Sequence, residues 1–316
     1  MYNYLLGGSH SPPGYIHANR QPLGETSMQP LFPQVEGITH RFVKVNGIHL
    51  HLAEAGSGEP MLMIHGWPQH WYMWRYQIPY LAQHYAVICP DLRGFGWSDA
   101  PATGYEKERL VDDMIALLDT LNLKRIRLVA HDWGGWVGFL LCLRQPERVQ
   151  RYMALNIPHP FQTLDSRALL LWRFWYQWVI ASPLLGKWII QNQSGLVRRL
   201  LQWGVVNKTW TDEEIAIYTS RLQEQARAYA SVLLYRSFLL SEFIPIVRGR
   251  YWSLRLPTRT LILFGVHDFA LAPEFLKGYE PYADDLKVEL VPNSGHFIAE
   301  DQPELVTKRA LEFFVA

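Results

Sequence analysis

The sequence predicts an α/β protein in which a mostly parallel central sheet is flanked by helices and carries an inserted helical cap. Short apolar runs, typical of strands buried on both faces, alternate with helical segments. An alternating pair of strands around Asn46-Gly47 comes first. Roughly a hundred residues of helical, aromatic-rich sequence then separate the early strands from the last two, which indicates an insertion rather than a loop.

The first strands form a predicted antiparallel hairpin. Residues 41–45 and 48–52 alternate between apolar and polar side chains, and the Asn46-Gly47 pair between them is the strongest short hairpin signal. The strands predicted next are 61–64, 86–89, 126–130 and 151–155. Helical segments such as 106–121 separate these runs, so we expect the strands to pair in parallel.

The strand pattern resumes near the end of the chain, at residues 260–264 and 288–291. The first residues of the chain mix Gly, Pro, Ser and His without a basic start or an apolar core, so we expect no secretory signal there. The predicted domains are a loose extension (1–36), a core (37–159 and 251–316) and a helical cap (160–250).

Charge and cysteine content narrow the class of protein. The 30 basic and 29 acidic residues leave a net charge of +1, which favours a small, near-neutral partner over nucleic acid. The two cysteines, Cys89 and Cys142, lie in apolar runs and support neither a disulfide framework nor a metal site. This use of cysteine indicates that the protein resides in a reducing compartment, and we therefore expect a cytoplasmic location.

The most apolar stretch of the chain, residues 168–190, is crowded with Trp and Tyr. It also contains Arg173, Pro183 and Lys187, which disfavour a helix that spans a membrane. We interpret the stretch as a lid over a pocket and predict no integral membrane span.

A tight strand-to-helix turn is predicted in residues 128–138, which read LVAHDWGGWVG. Gly134 and Gly135 suit such a turn because side chains there would collide with neighbouring backbone. The residue at the turn is Asp132, and a carboxylate nucleophile forms an ester by attacking an electrophilic carbon; water must later cleave that ester. The competing interpretation makes Asp132 a simple helix N-cap.

Three motifs in order resemble the α/β-hydrolase-fold epoxide hydrolases and their haloalkane dehalogenase relatives. They are His65-Gly66-Trp67-Pro68, the run from Asp91 to Asp99 (DLRGFGWSD), and His131-Asp132-Trp133-Gly134-Gly135. The resemblance covers about residues 40–316 and implies the α/β-hydrolase fold. It also implies that Asp132 is the nucleophile.

The remaining members of a catalytic triad are expected downstream. Asp268 follows the predicted strand 260–264, at the carboxyl end where such sheets present their site residues. His296 follows the last strand, so the chain order of nucleophile, acid and histidine matches the α/β-hydrolase triad. His296 is the predicted base and Asp268 orients it, while His267 is the nearest decoy. Asn156 sits where some dehalogenases keep their acid, but an amide cannot serve as one.

The resemblance assigns the oxyanion hole to two main-chain N–H groups, those of Trp67 and Trp133. These donors would stabilise the charge that develops when the ester is hydrolysed. The resemblance further implies that the Trp67-Pro68 peptide bond is cis.

Opening an epoxide produces an alkoxide, which needs a hydrogen-bond or proton donor. The resemblance implies two cap tyrosines in this role, and the matching positions are Tyr176 and Tyr235. Tyr218 and Tyr229 are the fallback candidates. Aromatic residues at such spacing also form ordinary helix packing, which is the competing interpretation.

The predicted function is hydrolysis of a small lipophilic epoxide to a vicinal diol, with water as the second reactant and neither a cofactor nor a metal. We expect Trp67, Trp133, Trp175 and Trp178 to contact the substrate in an apolar pocket. Two other functions stay open. One is haloalkane dehalogenation by the same triad, with Trp175 or Trp178 as a halide donor; the other is ligand binding without turnover. A homodimer also stays open.

Overall fold

The computed structural model describes residues 32–163, 166–192 and 194–315. Most of the predicted extension, residues 1–31, lies outside the described residues. The strands are β1 (Thr39–Val45), β2 (Ile48–Ala55), β3 (Glu59–Ile64), β4 (Tyr85–Pro90), β5 (Ile126–His131), β6 (Val149–Leu155), β7 (Arg259–Gly265) and β8 (Leu286–Val291). All the predicted strands are therefore present in the structure, each within a few residues of its expected bounds.

The strands form one sheet in the order β1-β2-β4-β3-β5-β6-β7-β8. The β1–β2 and β2–β4 pairs are antiparallel and the other pairs are parallel, as predicted. The chain passes from β3 outward to β4 and then returns to the other side of β3 as β5. Such a reversal opens a crevice at the carboxyl ends of the strands, so the loops after β3 and β5 meet there.

The hairpin and the buried strands follow from local sequence. Asn46 and Gly47 have φ angles of 46° and 81°, the left-handed pair that a tight two-residue hairpin requires. Residues 61–64 of β3 are completely buried, which explains why that strand is apolar throughout rather than alternating.

Helices cover the sheet and fill the insertion between β6 and β7. The helices outside the insertion are α1 (Ile78–Leu81), α2 (Lys107–Thr120), α3 (Asp132–Arg144), α10 (Ile298–Asp301) and α11 (Pro303–Val315). Those within it are α4 (Trp175–Ala181), α5 (Leu185–Asn192), α6 (Ser194–Trp203), α7 (Asp212–Leu222), α8 (Gln225–Ser237) and α9 (Phe243–Val247). A 3₁₀ helix (Ser166–Phe174) precedes α4, and a π-helical turn (Phe238–Glu242) joins α8 to α9.

The inserted helices pack tightly on the rest of the chain. Within the described residues, everything from Pro33 onward forms one compact unit. The cap boundaries at residues 160 and 250 stay a prediction. The apolar stretch 168–190 is divided among the 3₁₀ helix, α4 and α5. In the described part of the chain, one continuous helical run, 225–247, is long and apolar enough to cross a membrane by length and composition.

A buried ion cluster fastens α7 of the insertion to α10 of the core. The two terminal guanidinium nitrogens of Arg75, Nη1 and Nη2, each lie 2.7 Å from an oxygen of the Glu300 carboxylate. Nη2 also lies 2.7 Å from Oε1 of Glu214. The Tyr218 hydroxyl donates to Glu300 at 2.6 Å. Because each buried charge in this cluster has a close partner of opposite sign, the cluster fixes α7 in position over the sheet.

Candidate active site

The turn between β5 and α3 brings Asp132 to the carboxyl edge of the sheet. Asp132 has a φ of 50°, in the left-handed region that a side chain seldom adopts. A side chain at Gly134 would collide with the His65 carbonyl, and one at Gly66 would collide with Asp132 itself. The glycines therefore allow the turn to approach the loop after β3, which is the geometry of a nucleophile elbow.

Two main-chain donors hold the Asp132 carboxylate. The Trp67 N–H donates to Oδ1 at 2.9 Å, and the Trp133 N–H at the start of α3 also donates to the carboxylate. Burial alone raises the pKa of Asp132, but hydrogen bonds from His296 and Trp133 outweigh burial and hold that pKa below its ordinary value. Asp132 is therefore ionised at neutral pH. The Trp67-Pro68 bond is cis.

The three predicted triad residues lie together. Nε2 of His296 is 3.5 Å from Asp132 Oδ2, and Nδ1 is 2.7 Å from Asp268 Oδ2. Burial lowers the pKa of His296, but the charge of Asp268 and the hydrogen bond to Asp132 outweigh it and raise that pKa to about 10. The imidazole is thus held as a cation between two carboxylates.

Asp268 is fixed by hydrogen bonds on both oxygens. Oδ1 accepts from the main-chain N–H groups of Ala270 and Leu271 at 2.8 and 2.9 Å, and Oδ2 accepts from Asn156 Nδ2 at 2.8 Å. Asn156 is therefore a positioning residue, a role that the sequence did not indicate. His267, the predicted decoy, is exposed, whereas the three triad residues are buried.

The two predicted cap tyrosines face Asp132. Tyr176 and Tyr235 are buried, and their ring centroids lie 6.1 Å apart at 80°. Tyr235 packs edge-on against Trp67 at 5.3 Å and Trp133 at 5.8 Å. Burial, reinforced by the charge of Asp132, raises the pKa of both phenols, so they stay protonated at neutral pH.

The fallback tyrosines lie elsewhere. Tyr218 belongs to the ion cluster around Glu300, and Tyr229 is partly exposed on α8. Neither phenol is placed to reach a ligand bound at Asp132.

An apolar cavity of about 770 Å³, its solvent-filled mouth included, opens above Asp132 and His296. Tyr176 and Gln177 reach the cavity from the cap, and Trp133 reaches it from the core. The apolar part of its wall comes from both layers and includes Trp136, Ile157, Phe174, Phe238 and Phe275. Such a pocket favours a ligand that is mostly hydrocarbon.

Comparison with known proteins identifies the family of this chain. A family model described as the alpha/beta hydrolase fold matches residues 59–303. The soluble epoxide hydrolase of Corynebacterium sp. (strain C12) is 30% identical over 88% of this chain and 97% of its own. This chain belongs to the α/β-hydrolase-fold epoxide hydrolase family. The fold class and the family implied by the motifs are confirmed.

Solved structures of the epoxide hydrolase family agree. The epoxide hydrolase CorEH without ligand aligns with a TM-score of 0.78 at 27% identity, over 88% of this chain and 99% of that one. The epoxide hydrolase VrEH1 from Vigna radiata aligns with a TM-score of 0.74 at 28% identity, over 89% and 99% of the two chains.

The prediction that Trp175 and Trp178 contact the substrate is wrong. Trp175 and Trp178 do not line the cavity; they are 45% and 59% exposed on the outer side of α4. The helical period explains the difference, because Tyr176, Gln177 and Ile180 take the buried side of α4. Of the predicted substrate contacts, Trp133 lines the cavity, and Trp67 lies behind Tyr235 with its indole N–H donated to Ser231.

A buried lysine behind the site also escaped the sequence analysis. Nζ of Lys107 lies 4.6 Å from the centre of the Trp133 ring, donates to the Leu234 carbonyl at 2.6 Å and pairs with Glu242 at 2.9 Å. Burial lowers the pKa of Lys107, while Glu242 opposes that shift. The lysine therefore fixes the Trp133 indole and the π-helical turn beside the cavity, a common location for such turns.

No group of three or more His, Cys, Asp or Glu side chains within residues 32–163, 166–192 and 194–315 is arranged to hold a metal ion. The sequence prediction that neither a metal nor a cofactor is required stays a prediction.

Proposed function

We propose that the protein hydrolyses lipophilic epoxides to vicinal diols through a covalent ester on Asp132. The observation that carries this proposal is the placement of two buried phenols near the Asp132 carboxylate: Tyr176 lines the same cavity as Asp132, and the Tyr235 ring packs edge-on against Tyr176. An epoxide needs a nucleophile on carbon and a donor on oxygen, and this pairing supplies both.

In the first half-reaction, Asp132 attacks a ring carbon and the carbon–oxygen bond of the epoxide breaks. The Trp67 N–H holds Oδ1, so Oδ2 is the oxygen that attacks. Tyr176 and Tyr235 donate hydrogen bonds to the departing alkoxide, and one phenol transfers its proton to it, which gives the first hydroxyl of the diol. The phenolate that results recovers a proton from solvent. The products of this step are an ester and a hydroxyl group.

In the second half-reaction, His296 takes a proton from water and the resulting hydroxide attacks the Asp132 ester carbonyl. Formation of the ester removes the negative charge of Asp132, so one of the two interactions that raise the pKa of His296 is lost. The imidazolium then loses its proton to solvent, and the neutral imidazole is available as a base. The Trp67 and Trp133 amides stabilise the oxyanion. As the ester breaks, the proton of the re-formed Asp132 carboxyl passes to the leaving alkoxide, so the diol is released with its second hydroxyl, and the carboxylate and the His296 cation are restored.

Product analysis tests this function. Purified protein and the Asp132→Asn variant are each offered styrene oxide and 1-bromobutane, and diol and bromide are measured separately. We expect diol from the wild-type protein alone. Bromide without diol would support dehalogenation, and tight binding without either product would support a binding protein. Trp133 lines the cavity and is compatible with halide binding, but Trp175 and Trp178, the candidates for the second halide donor, face outward, which weakens the dehalogenase alternative.

The tyrosine pair gives a separate prediction. Replacing Tyr176 or Tyr235 by Phe is expected to lower kcat/KM for an epoxide by about tenfold to a hundredfold, and replacing both by about a thousandfold, because each removes a donor to the alkoxide. The matched control is Tyr229→Phe, a partly exposed tyrosine on the same helix as Tyr235. Unchanged kinetics in the double variant would contradict the role of the pair.

The two half-reactions are expected to depend differently on pH. Asp132 has a lowered pKa, so the rate of ester formation should stay flat from about pH 6 to about pH 9. Ester hydrolysis needs neutral His296, so its rate should rise about tenfold per pH unit and level off above the pKa of His296 in the ester. Single-turnover kinetics measures both rates. A hydrolysis rate independent of pH would contradict the assignment of His296 as base.

The cytoplasmic location and the homodimer stay predictions. The free, buried thiols of Cys89 and Cys142 support the first. Sedimentation of the purified protein tests the second.

A further inference from the structure

The outer surface of the cap carries an unusual set of exposed apolar side chains. We call it the tryptophan face, and it comprises Leu169, Trp172, Trp175, Trp178, Leu184 and Trp188. The four tryptophans are between 45% and 69% exposed, and the two leucines are more than 80% exposed. Isolated exposed apolar residues are common, but six large exposed apolar side chains within residues 169–188 indicate an interaction surface.

Packing explains why these side chains point outward. Helices α4 and α5 contact each other and both pack on α8, so their buried residues face α8 and the cavity. Leu171, Phe174 and Gln177 of the same segment line the cavity from the inside. The segment is thus apolar on both sides, and the wall of the cavity and the tryptophan face are two sides of one layer.

The segment that carries the tryptophan face is basic. Residues 166–211 contain six Lys or Arg and no Asp or Glu. Three of these cations are engaged elsewhere: Arg173 is turned inward to the Asp268 and Leu271 carbonyls, Arg198 is paired with Asp212, and Lys208 is paired with Glu214. Lys187 lies next to Trp188 on α5, and Arg199 is exposed on α6, which packs on α5.

We propose that the tryptophan face binds the surface of an anionic lipid bilayer. Tryptophan is the side chain most typical of the membrane interface, and flanking cations are attracted to anionic headgroups. Docking at this face brings the cavity wall at Leu171 and Phe174 next to the lipid, where apolar molecules concentrate. The binding itself does not depend on the proposed function.

Two other occupants fit the face less well. A second copy docked by two-fold symmetry would bring the same basic segments together, so like charges would oppose the contact. Residues 1–31 contain one Arg and one Glu, so they carry no net negative charge to match the face. A bilayer with anionic headgroups provides both the apolar contact and the opposite charge.

Vesicle flotation of the full chain tests the proposal, with phosphatidylcholine vesicles prepared with and without phosphatidylglycerol. At low salt we expect the partition coefficient to be about tenfold higher or more with the anionic lipid, and to fall as salt is added. The double variant Trp178→Ser, Trp188→Ser should bind the anionic vesicles more weakly by a factor of about ten or more. The variant Lys187→Glu, Arg199→Glu should lose the preference for anionic lipid.

The matched control is Trp252→Ser, which removes an indole that is 40% exposed and lies between α9 and β7, away in sequence from the segment that carries the tryptophan face. It should bind vesicles as the wild-type protein does. Circular dichroism checks that every variant is folded, which is expected because the altered side chains are on the surface. Absence of flotation with both vesicle types would overturn the proposal. The proposal would also be overturned if the tryptophan variant bound vesicles as tightly as the wild-type protein. It would be overturned too if the wild-type protein formed a dimer that the tryptophan variant did not form.

Discussion

The Asp132→Ala variant is expected to lower kcat/KM for an epoxide by about ten-thousandfold or more, because no other group is placed to form the ester. Asp132 is the carboxylate that accepts from Trp67 N–H at 2.9 Å and opens onto the cavity. Intact-protein mass spectrometry should find no covalent adduct in this variant. Circular dichroism and binding of the diol product are the controls for folding and for an intact cavity.

Residual activity within about tenfold of the wild-type protein would contradict this account. It would mean that water attacks the epoxide directly and that Asp132 only caps α3. The same carboxylate is buried and ionised, so removing it also removes a partner of His296. A lowered pKa of His296, measured by NMR, is therefore expected in the variant.

Replacing His296 by Gln is expected to stop the reaction at the ester. Ester formation needs Asp132 and the phenols, which this change leaves in place, whereas ester hydrolysis loses its base and should slow by about a hundredfold to ten-thousandfold. An adduct with the mass of the substrate should accumulate on the protein. Peptide mapping is expected to place it on Asp132.

The matched control is His267→Gln, which alters the exposed histidine beside Asp268 and leaves the triad intact. This variant should turn over normally and show no adduct. If His296→Gln also turns over without accumulating an adduct, another group activates the water, and the assignment of His296 as the base fails.

The fold and the triad could be predicted because they follow from backbone requirements. Gly134 and Gly135 reveal the turn that presents Asp132, because a side chain at either position would collide with neighbouring atoms of His65 or Ile157. Strands buried on both faces must be apolar throughout, so the parallel sheet is visible in the sequence. The order of Asp132, Asp268 and His296 then follows from the positions of the strands.

The cap was predicted less well because its helices are apolar on both sides. The sequence did not distinguish the cavity side of α4 from the outer side, and the assignment of Trp175 and Trp178 to the substrate was therefore wrong. In a helix with one polar side, periodicity would have separated the two. Here the buried side could be identified only from the packing of α4 on α8.

Asn156 and Lys107 were missed for a different reason. Both act through partners that are distant in sequence: Asn156 hydrogen bonds to Asp268, and Lys107 contacts Trp133 and Glu242. No local pattern marks such a contact. The backbone of Asn156, directly after β6, has a φ of 42°, which places its amide beside Asp268, and no local sequence pattern indicates this conformation.

The most direct test of the central claim is a single turnover of excess wild-type protein with an epoxide in H₂¹⁸O. The account predicts that water attacks the Asp132 ester carbonyl, so the ¹⁸O atom should enter the Asp132 carboxylate and the first diol should carry none. Mass spectrometry of the diol and of the peptide containing Asp132 measures both. Recovery of ¹⁸O in the diol, with an unlabelled Asp132, would contradict the covalent mechanism.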